Sequence, residues 1–233
     1  MRKKLLTAGA ALAVLWIGGG PPLAQAGKTR SSGVEARPNQ VLKERLMKAV
    51  EELKHPSAET RRKAVEYLGQ AGDMSVVKPL ASALADPQAE VREQAGNSMW
   101  RIWLRSGDPE TDKILHLGIE LMGAGQFQQA INAFTRVIER APDFAEGYNK
   151  RATALYLAKR YKESLVDCDV TIRLNPYHFG ALFGIGLNYA GLNDLPKALQ
   201  AFQDTLKVVP YSEPAKLYIG AIKKRLKPEE TEL

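Results

Sequence analysis

From Val41 onward apolar residues return every three or four positions, and no stretch alternates with period two for long. Val41, Leu42, Leu46, Val50 and Leu53, for example, fall on one side of a helix. Prolines punctuate the pattern at Pro56, Pro87, Pro109, Pro142, Pro176 and Pro210. Proline fixes φ and lacks a donor, so each marks a place where one helix stops and the next opens. The pattern predicts an all-α chain of short amphipathic helices.

The front of the chain reads differently. Arg2, Lys3 and Lys4 precede an almost wholly apolar stretch from Leu5 to Ile17, which breaks at Gly18-Gly19-Gly20-Pro21-Pro22. Ala24-Gln25-Ala26 follows, with Gly27 next. A basic run, an apolar run and small residues in that order predict a secretory signal peptide over 1–26, cleaved after Ala26, and hence a periplasmic or secreted protein. The alternative is an uncleaved anchor, for which the apolar run falls short of the roughly 20 residues a spanning helix needs. No later segment suits a membrane span, so none is expected after cleavage. Residues 27–40 hold few apolar groups and several turn formers, and are expected to be a flexible leader.

Two internal periods organise the rest. Shifted by 31 residues, His55-Pro56-Ser57-Ala58-Glu59-Thr60-Arg61-Arg62-Lys63-Ala64 falls on Asp86-Pro87-Gln88-Ala89-Glu90-Val91-Arg92-Glu93-Gln94-Ala95. Glu59 and Glu90 then enter the first turn of a helix, where negative charge suits the dipole. Ala64 and Ala95 allow close packing, and Arg61 and Arg92 are long enough to reach back across the turn or over to the adjacent repeat. This stretch, assigned to 41–107, resembles HEAT-like repeats.

The second period is 34 residues. Gly118, Leu121, Gly125, Phe127, Ala130, Phe134 and Pro142 recur as Ala152, Leu155, Lys159, Tyr161, Ser164, Cys168 and Pro176, then as Gly186, Tyr189, Asn193, Leu195, Ala198, Phe202 and Pro210. Small residues return where two helices must touch and large ones where a core must be filled. The stretch 108–226 resembles a tetratricopeptide array of three repeats, 111–144, 145–178 and 179–212. An amphipathic helix over 213–226 would cap its last apolar face, ahead of a charged tail at 227–233. Together the resemblances imply an all-α, right-handed α-solenoid of two HEAT-like hairpins followed by three tetratricopeptide hairpins.

Charge and candidate chemistry narrow the function classes. The formal charge of +7 falls to +4 once Arg2, Lys3 and Lys4 are removed, a mild balance in an exported chain that gives no reason to expect nucleic acid. Arg61-Arg62-Lys63 and Lys223-Lys224-Arg225 read as solvated faces. No G-x-S-x-G elbow, phosphate-gripping glycine loop, dinucleotide fingerprint or H-E-x-x-H occurs. His55, His116 and His178 are far apart in sequence and read as turn or surface residues, so no metal or cofactor is expected. Cys168 is the only cysteine, which excludes an internal disulfide, and Asp167 and Asp169 beside it disfavour the thiolate. Arg151 occupies a normally apolar interior position and predicts an ion pair with Asp167 or Asp169.

The tetratricopeptide resemblance implies a concave groove lined by the first helix of each repeat. Its positions hold Leu115, Ile119 and Met122, then Asn149, Thr153, Tyr156 and Leu157, then Phe183, Leu187 and Ala190. Chaperone-binding members grip a terminal carboxylate with lysines and asparagines; here those places hold Leu115, Ile119, Gly180 and Gly184, and that clamp is not carried over. The expectation is a non-catalytic interaction scaffold or adaptor of the bacterial cell envelope. It would bind a peptide or helix of a protein partner along an open, apolar groove of Leu115, Ile119, Met122, Asn149, Thr153, Tyr156, Phe183 and Leu187. For the groove itself the alternative is that the capping helix or residues 27–40 cover some of these residues. For the function two alternatives remain at this point: a chromophore-lyase-like enzyme, suggested by the HEAT-like segment, and a self-oligomerising structural protein.

Overall fold

A computed structural model describes residues 36–226. The expected signal peptide and charged tail lie outside the described residues. Those described contain eleven α-helices, joined by short turns and divided into two units at Leu104.

The first unit comprises α1 (Ala36–Glu52), α2 (Ala58–Ala71), a 3-10 turn (Met74–Val76) leading into α3 (Val77–Ala83), and α4 (Ala89–Trp103). Helix α1 begins inside the stretch read as a leader. Pro38 causes no break there, because it falls in the first turn, where backbone donors have no partner in the helix anyway. Ser57 caps α2 by accepting the Thr60 N–H on Oγ at 3.4 Å. Helices α2 and α4 approach closely at Gly69, where a Cβ would lie 2.4 Å from the Ser98 side chain. Ser98 in turn donates its hydroxyl to the Val65 carbonyl at 2.9 Å. Val65, Leu68, Leu80, Val91, Ala95 and Met99 fill the core.

The repeated arginine explains the 31-residue period. Arg61 donates to the His55 and Pro56 carbonyls at 2.8 and 2.9 Å, and Arg92 donates to the Asp86 and Pro87 carbonyls at the same distances. Each guanidinium ties its helix to the turn that opens it. Arg61 also makes a two-point pair with Asp86 at the matched turn of the next repeat, at 2.6 and 2.9 Å.

The second unit is an α-solenoid of antiparallel hairpins: α5 (Pro109–Gly123) with α6 (Phe127–Arg140), α7 (Ala145–Leu157) with α8 (Tyr161–Leu174), and α9 (Phe179–Gly191) with α10 (Leu195–Val208). Helix α11 (Glu213–Leu226) follows and packs on α10. Asp108 caps α5, accepting the Thr111 N–H on Oδ2 at 3.1 Å, and Arg140 donates to the same oxygen at 2.9 Å. Those bonds hold the Asp108 carboxyl well below the usual carboxylate range.

Each hairpin pairs a small residue on its first helix with a larger one on its second. A Cβ on Gly118 would lie 2.4 Å from the Phe134 ring, and one on Gly186 would lie 2.6 Å from the Phe202 ring. In the middle hairpin the same two positions are Ala152 and Cys168, both buried. That substitution removes an aromatic ring from one layer of the stack.

Candidate functional site

The nominated groove residues do not form one open surface. Leu115, Phe183 and Leu187 are 0–2% exposed and belong to the packed interior; Met122 is buried as well, and Ile119 is half-buried. The expectation of an open apolar channel through these positions is therefore corrected. The cause is α11. Its Tyr218 lies edge-on to Phe183 at 5.7 Å and stacks on Phe202 at 4.7 Å, and its Ala215 and Ile222 complete a cluster with Phe183, Leu187, Ala198 and Phe202. Apolar residues on the last hairpin are satisfied within the chain.

Asn149, Thr153 and Tyr156 are brought together on α7. They meet Gly180, Gly184 and Asn188 of α9 around a notch of about 10 Å³, whose remaining lining is Ala152, Ser164 and Cys168. The notch lies in the layer where Ala152 and Cys168 replace the glycine and phenylalanine of the other hairpins. Leu115, Ile119 and Met122 do not reach it. Gly180 and Gly184, at two of the positions where chaperone-binding arrays carry clamp side chains, leave α9 bare there. Asn188 is the residue that sequence reasoning missed. Its only signal was an amide in the otherwise largely apolar run Phe179-Gly180-Ala181-Leu182-Phe183-Gly184-Ile185-Gly186-Leu187-Asn188.

The polar atoms here have fixed roles. Ser164 donates its hydroxyl to the Ala152 carbonyl at 2.7 Å, so its Oγ accepts from Asn188 Nδ2 at 2.8 Å. The same Nδ2 donates to the Gly184 carbonyl at 2.9 Å. Thr153 donates to the Asn149 carbonyl at 3.0 Å. Burial pushes the Tyr156 hydroxyl up to about 12, and burial, followed by the charges of Asp167 and Asp169, pushes the Cys168 thiol up to about 12. Cys168 is thus a neutral thiol in the floor of the notch, unsuited to nucleophilic attack at ordinary pH.

Beside the notch is a buried charged cluster that sequence reasoning also missed. Glu146, Lys150 and His178 are each no more than 1% exposed. Glu146 pairs with Lys150 at 3.1 Å and with His178 Nε2 at 2.8 Å, and it accepts Asn149 Nδ2 at 3.2 and 3.3 Å. Burial alone would raise the Glu146 carboxyl, but Lys150 and His178 together bring it below its ordinary value. His178 is a turn residue, as its position suggested, yet not a surface one. Arg151 makes the anticipated bridge with Asp167, at 2.7 and 2.8 Å, and adds a bond to Thr135 Oγ1 at 3.1 Å. Among the described residues no group of three or more His, Cys, Asp or Glu side chains is placed to hold a metal ion.

Comparison with known proteins agrees with this architecture. The HEAT repeats family profile matches residues 46–117, and a tetratricopeptide repeat profile matches residues 115–178. A TPR repeat-containing protein of Rhizobium etli is 23% identical over 53% of this chain and 61% of its own length. The Hsp70-Hsp90 organizing protein of Triticum aestivum is 30% identical over 46% of this chain and 18% of its own length. The chain thus spans only part of each relative. Among solved structures, the Sgt2 TPR domain from Aspergillus fumigatus superposes with a TM-score of 0.50 at 19% identity, covering 54% of this chain and 89% of that one.

Proposed function

We propose, for a chain that carries tetratricopeptide repeats behind a HEAT-repeat segment, that it is a non-catalytic adaptor holding a polypeptide segment of a partner protein against the inner helices of the array. One observation carries this reading. Where α7 and α9 meet, a notch persists whose walls are the bare backbone of Gly180 and Gly184 on one side and Asn149, Thr153 and the half-buried Tyr156 on the other, a place on the inner helices that the chain's own side chains do not fill. The lining contains no cation, which disfavours a partner held by its terminal carboxylate and favours an internal stretch of chain. The neutral Cys168 thiol supports a non-catalytic role.

The adaptor works in the bacterial cell envelope, a placement that rests on the basic, apolar and small-residue succession at 1–26. Fusion of residues 1–40 to a reporter active only outside the cytoplasm tests this, and terminal sequencing of the mature chain should begin at Gly27. Binding is tested with a photoreactive amino acid at Leu157, a half-buried nominated groove position next in sequence to Tyr156, and another at Val166, which is 62% exposed. Crosslinks to one envelope protein from Leu157 and not from Val166 support the groove. Equal yields from both positions overturn it.

A second reading, self-association, draws on the outer face of α11, where Leu217 is 69% exposed and Leu226 is 44% exposed. A mass from light scattering that halves on Leu217→Ser would favour it.

A further inference from the structure

We infer that the notch between α7 and α9 is a subsite for a single serine hydroxyl of the bound polypeptide, received by Asn188 Oδ1. The inference rests on the adaptor reading and specifies which chemical group of the partner the groove selects.

Asn188 is 1% exposed, and its Oδ1 has no hydrogen-bond partner among the described residues. The amide cannot be turned around to mend this. Nδ2 is committed to Ser164 Oγ and the Gly184 carbonyl, while the Ser164 proton goes to the Ala152 carbonyl and the Thr153 proton to the Asn149 carbonyl. No donor in the lining, the Tyr156 hydroxyl and the Cys168 thiol included, reaches Oδ1, which leaves it open to a donor entering the notch.

Size and charge narrow the guest. A volume of about 10 Å³ admits one water-sized group. A main-chain N–H arrives with its own carbonyl and flanking Cα atoms and is too bulky. Threonine brings an extra methyl. A carboxylate or phosphate offers only acceptors to an acceptor and finds no cation in the lining. A lysine head would be stripped of water with no carboxylate in the lining to receive it. A serine hydroxyl is water-sized, donates one proton, and stands one carbon from the backbone. At Gly184 a Cβ would meet only Cys168 Sγ, so no side chain of α9 fills the approach there.

The middle hairpin provides the space because it departs from its neighbours. The flanking hairpins fill this layer with Phe134 against Gly118 and Phe202 against Gly186; here the two positions hold Cys168 and Ala152, both lining the notch, and a sulfur stands where a ring would be.

The test uses the full chain and a bead-bound library of random dodecapeptides with amidated C-termini. Affinities of the best binders are then measured by fluorescence anisotropy. Binders should share a serine at one fixed place, and Ser→Ala in the peptide should weaken binding by about fivefold to tenfold, the scale of one net hydrogen bond. Gly184→Ala adds a Cβ that meets only Cys168 Sγ, at 3.6 Å, and should erase the difference between the Ser and Ala peptides. The double change Ala152→Gly with Cys168→Phe, which rebuilds the pair of the other hairpins, should do the same. Binders with no serine preference overturn the subsite and leave the adaptor standing. A serine preference that survives both variants places the hydroxyl elsewhere and also overturns it. A library with no binder to the wild-type chain overturns both.

Discussion

His178 Nδ1 accepts the Ala181 N–H at 3.1 Å while Nε2 of the same ring stands 2.8 Å from Glu146 Oε2. An amide nitrogen can only donate, so Nδ1 is the unprotonated nitrogen and Nε2 carries the hydrogen that Glu146 accepts. One neutral ring thus caps α9 and anchors it to α7 through Glu146, which also holds Lys150. The arrangement makes a charged cluster part of the joint between the second and third hairpins.

Removing one member of that cluster breaks a buried charge pair. Glu146→Gln takes away the carboxylate that Lys150 meets at 3.1 Å, and a broken buried pair costs about 3–5 kcal/mol. Glu146→Leu combined with Lys150→Met removes both charges of the pair and should cost less, the remaining cost being the acceptor lost to His178 Nε2 and Asn149 Nδ2. Urea unfolding monitored by helix signal distinguishes the two. If both variants unfold at the wild-type midpoint, the cluster contributes nothing to stability.

The two-point pair of Arg61 and Asp86 makes the first unit acid-sensitive. Hydrogen bonds from Arg61 hold the Asp86 carboxyl below its ordinary value. A carboxyl whose folded value is depressed binds fewer protons folded than unfolded. Its stabilisation is complete above the unfolded value of about 3.9 and fades as pH falls from there toward the lowered folded value. Between pH 6 and pH 3 the wild-type unit should lose more stability than Asp86→Asn, with the excess concentrated below about pH 4. Parallel losses in the two proteins would remove the pair as a cause.

Burial changes what substitutions along the nominated groove would report. Phe183→Asp or Leu187→Asp puts a carboxylate into the cluster closed by Tyr218 and Ile222. These changes should unfold the second unit rather than detach a partner, since an unpaired charge is not accommodated in an apolar core. Leu217→Ser, on an exposed face, should shift stability by no more than about 0.5 kcal/mol. Thermal melts of the three variants check the ordering.

How far the residues announced this arrangement depends on the kind of interaction. The all-α class and the two repeat types were legible because each rests on local spacing: small against large at fixed intervals, and a proline once per repeat. The bridge from Arg151 to Asp167 was legible too, because a guanidinium at an interior position demands a carboxylate on the paired helix. The cluster of Glu146, Lys150 and His178 was not. Glu146 and Lys150 are one helical turn apart and look like an ordinary solvated pair; only the return of the chain 32 residues later brings His178 onto them. The capping helix over 213–226 was legible from its amphipathic pattern, but not that Tyr218 would reach Phe183 and Phe202, because no spacing rule ties a residue of the cap to a groove position. Asn188 was hidden by its register, one place beyond the groove residue Leu187.

The thiol offers a direct probe of that layer. With Cys168 pushed up to about 12, the thiolate fraction at pH 8 is on the order of 10⁻⁴, against roughly a quarter for a free cysteine of pKa about 8.5. Iodoacetamide should leave the folded chain unmodified over hours and alkylate it promptly in urea, with labelling tracking the unfolding curve of the second unit. Rapid labelling without denaturant would mean that Cys168 reaches solvent far more than its 2% exposure implies.

Lys159 marks a place where the middle hairpin is strained. Gly125, Lys159 and Asn193 occupy the same turn position 34 residues apart, and all three adopt positive φ, at 74°, 60° and 61°. Glycine takes that left-handed conformation freely and asparagine tolerates it, but a long side chain pays for it with about 1–2 kcal/mol of steric conflict between its Cβ and the following carbonyl. The Lys159 side chain is exposed, so its loss removes little packing. Against the relief stands the greater backbone freedom that glycine confers on the unfolded chain, about 0.5–1 kcal/mol. Lys159→Gly should therefore stabilise the second unit by about 0.5–1 kcal/mol, and Lys159→Asn by a smaller amount. Lys159→Val, branched at Cβ, should destabilise it. A thermal series running Gly, Asn, Lys, Val from most to least stable is the expected result; a flat series would show that this turn relaxes without cost.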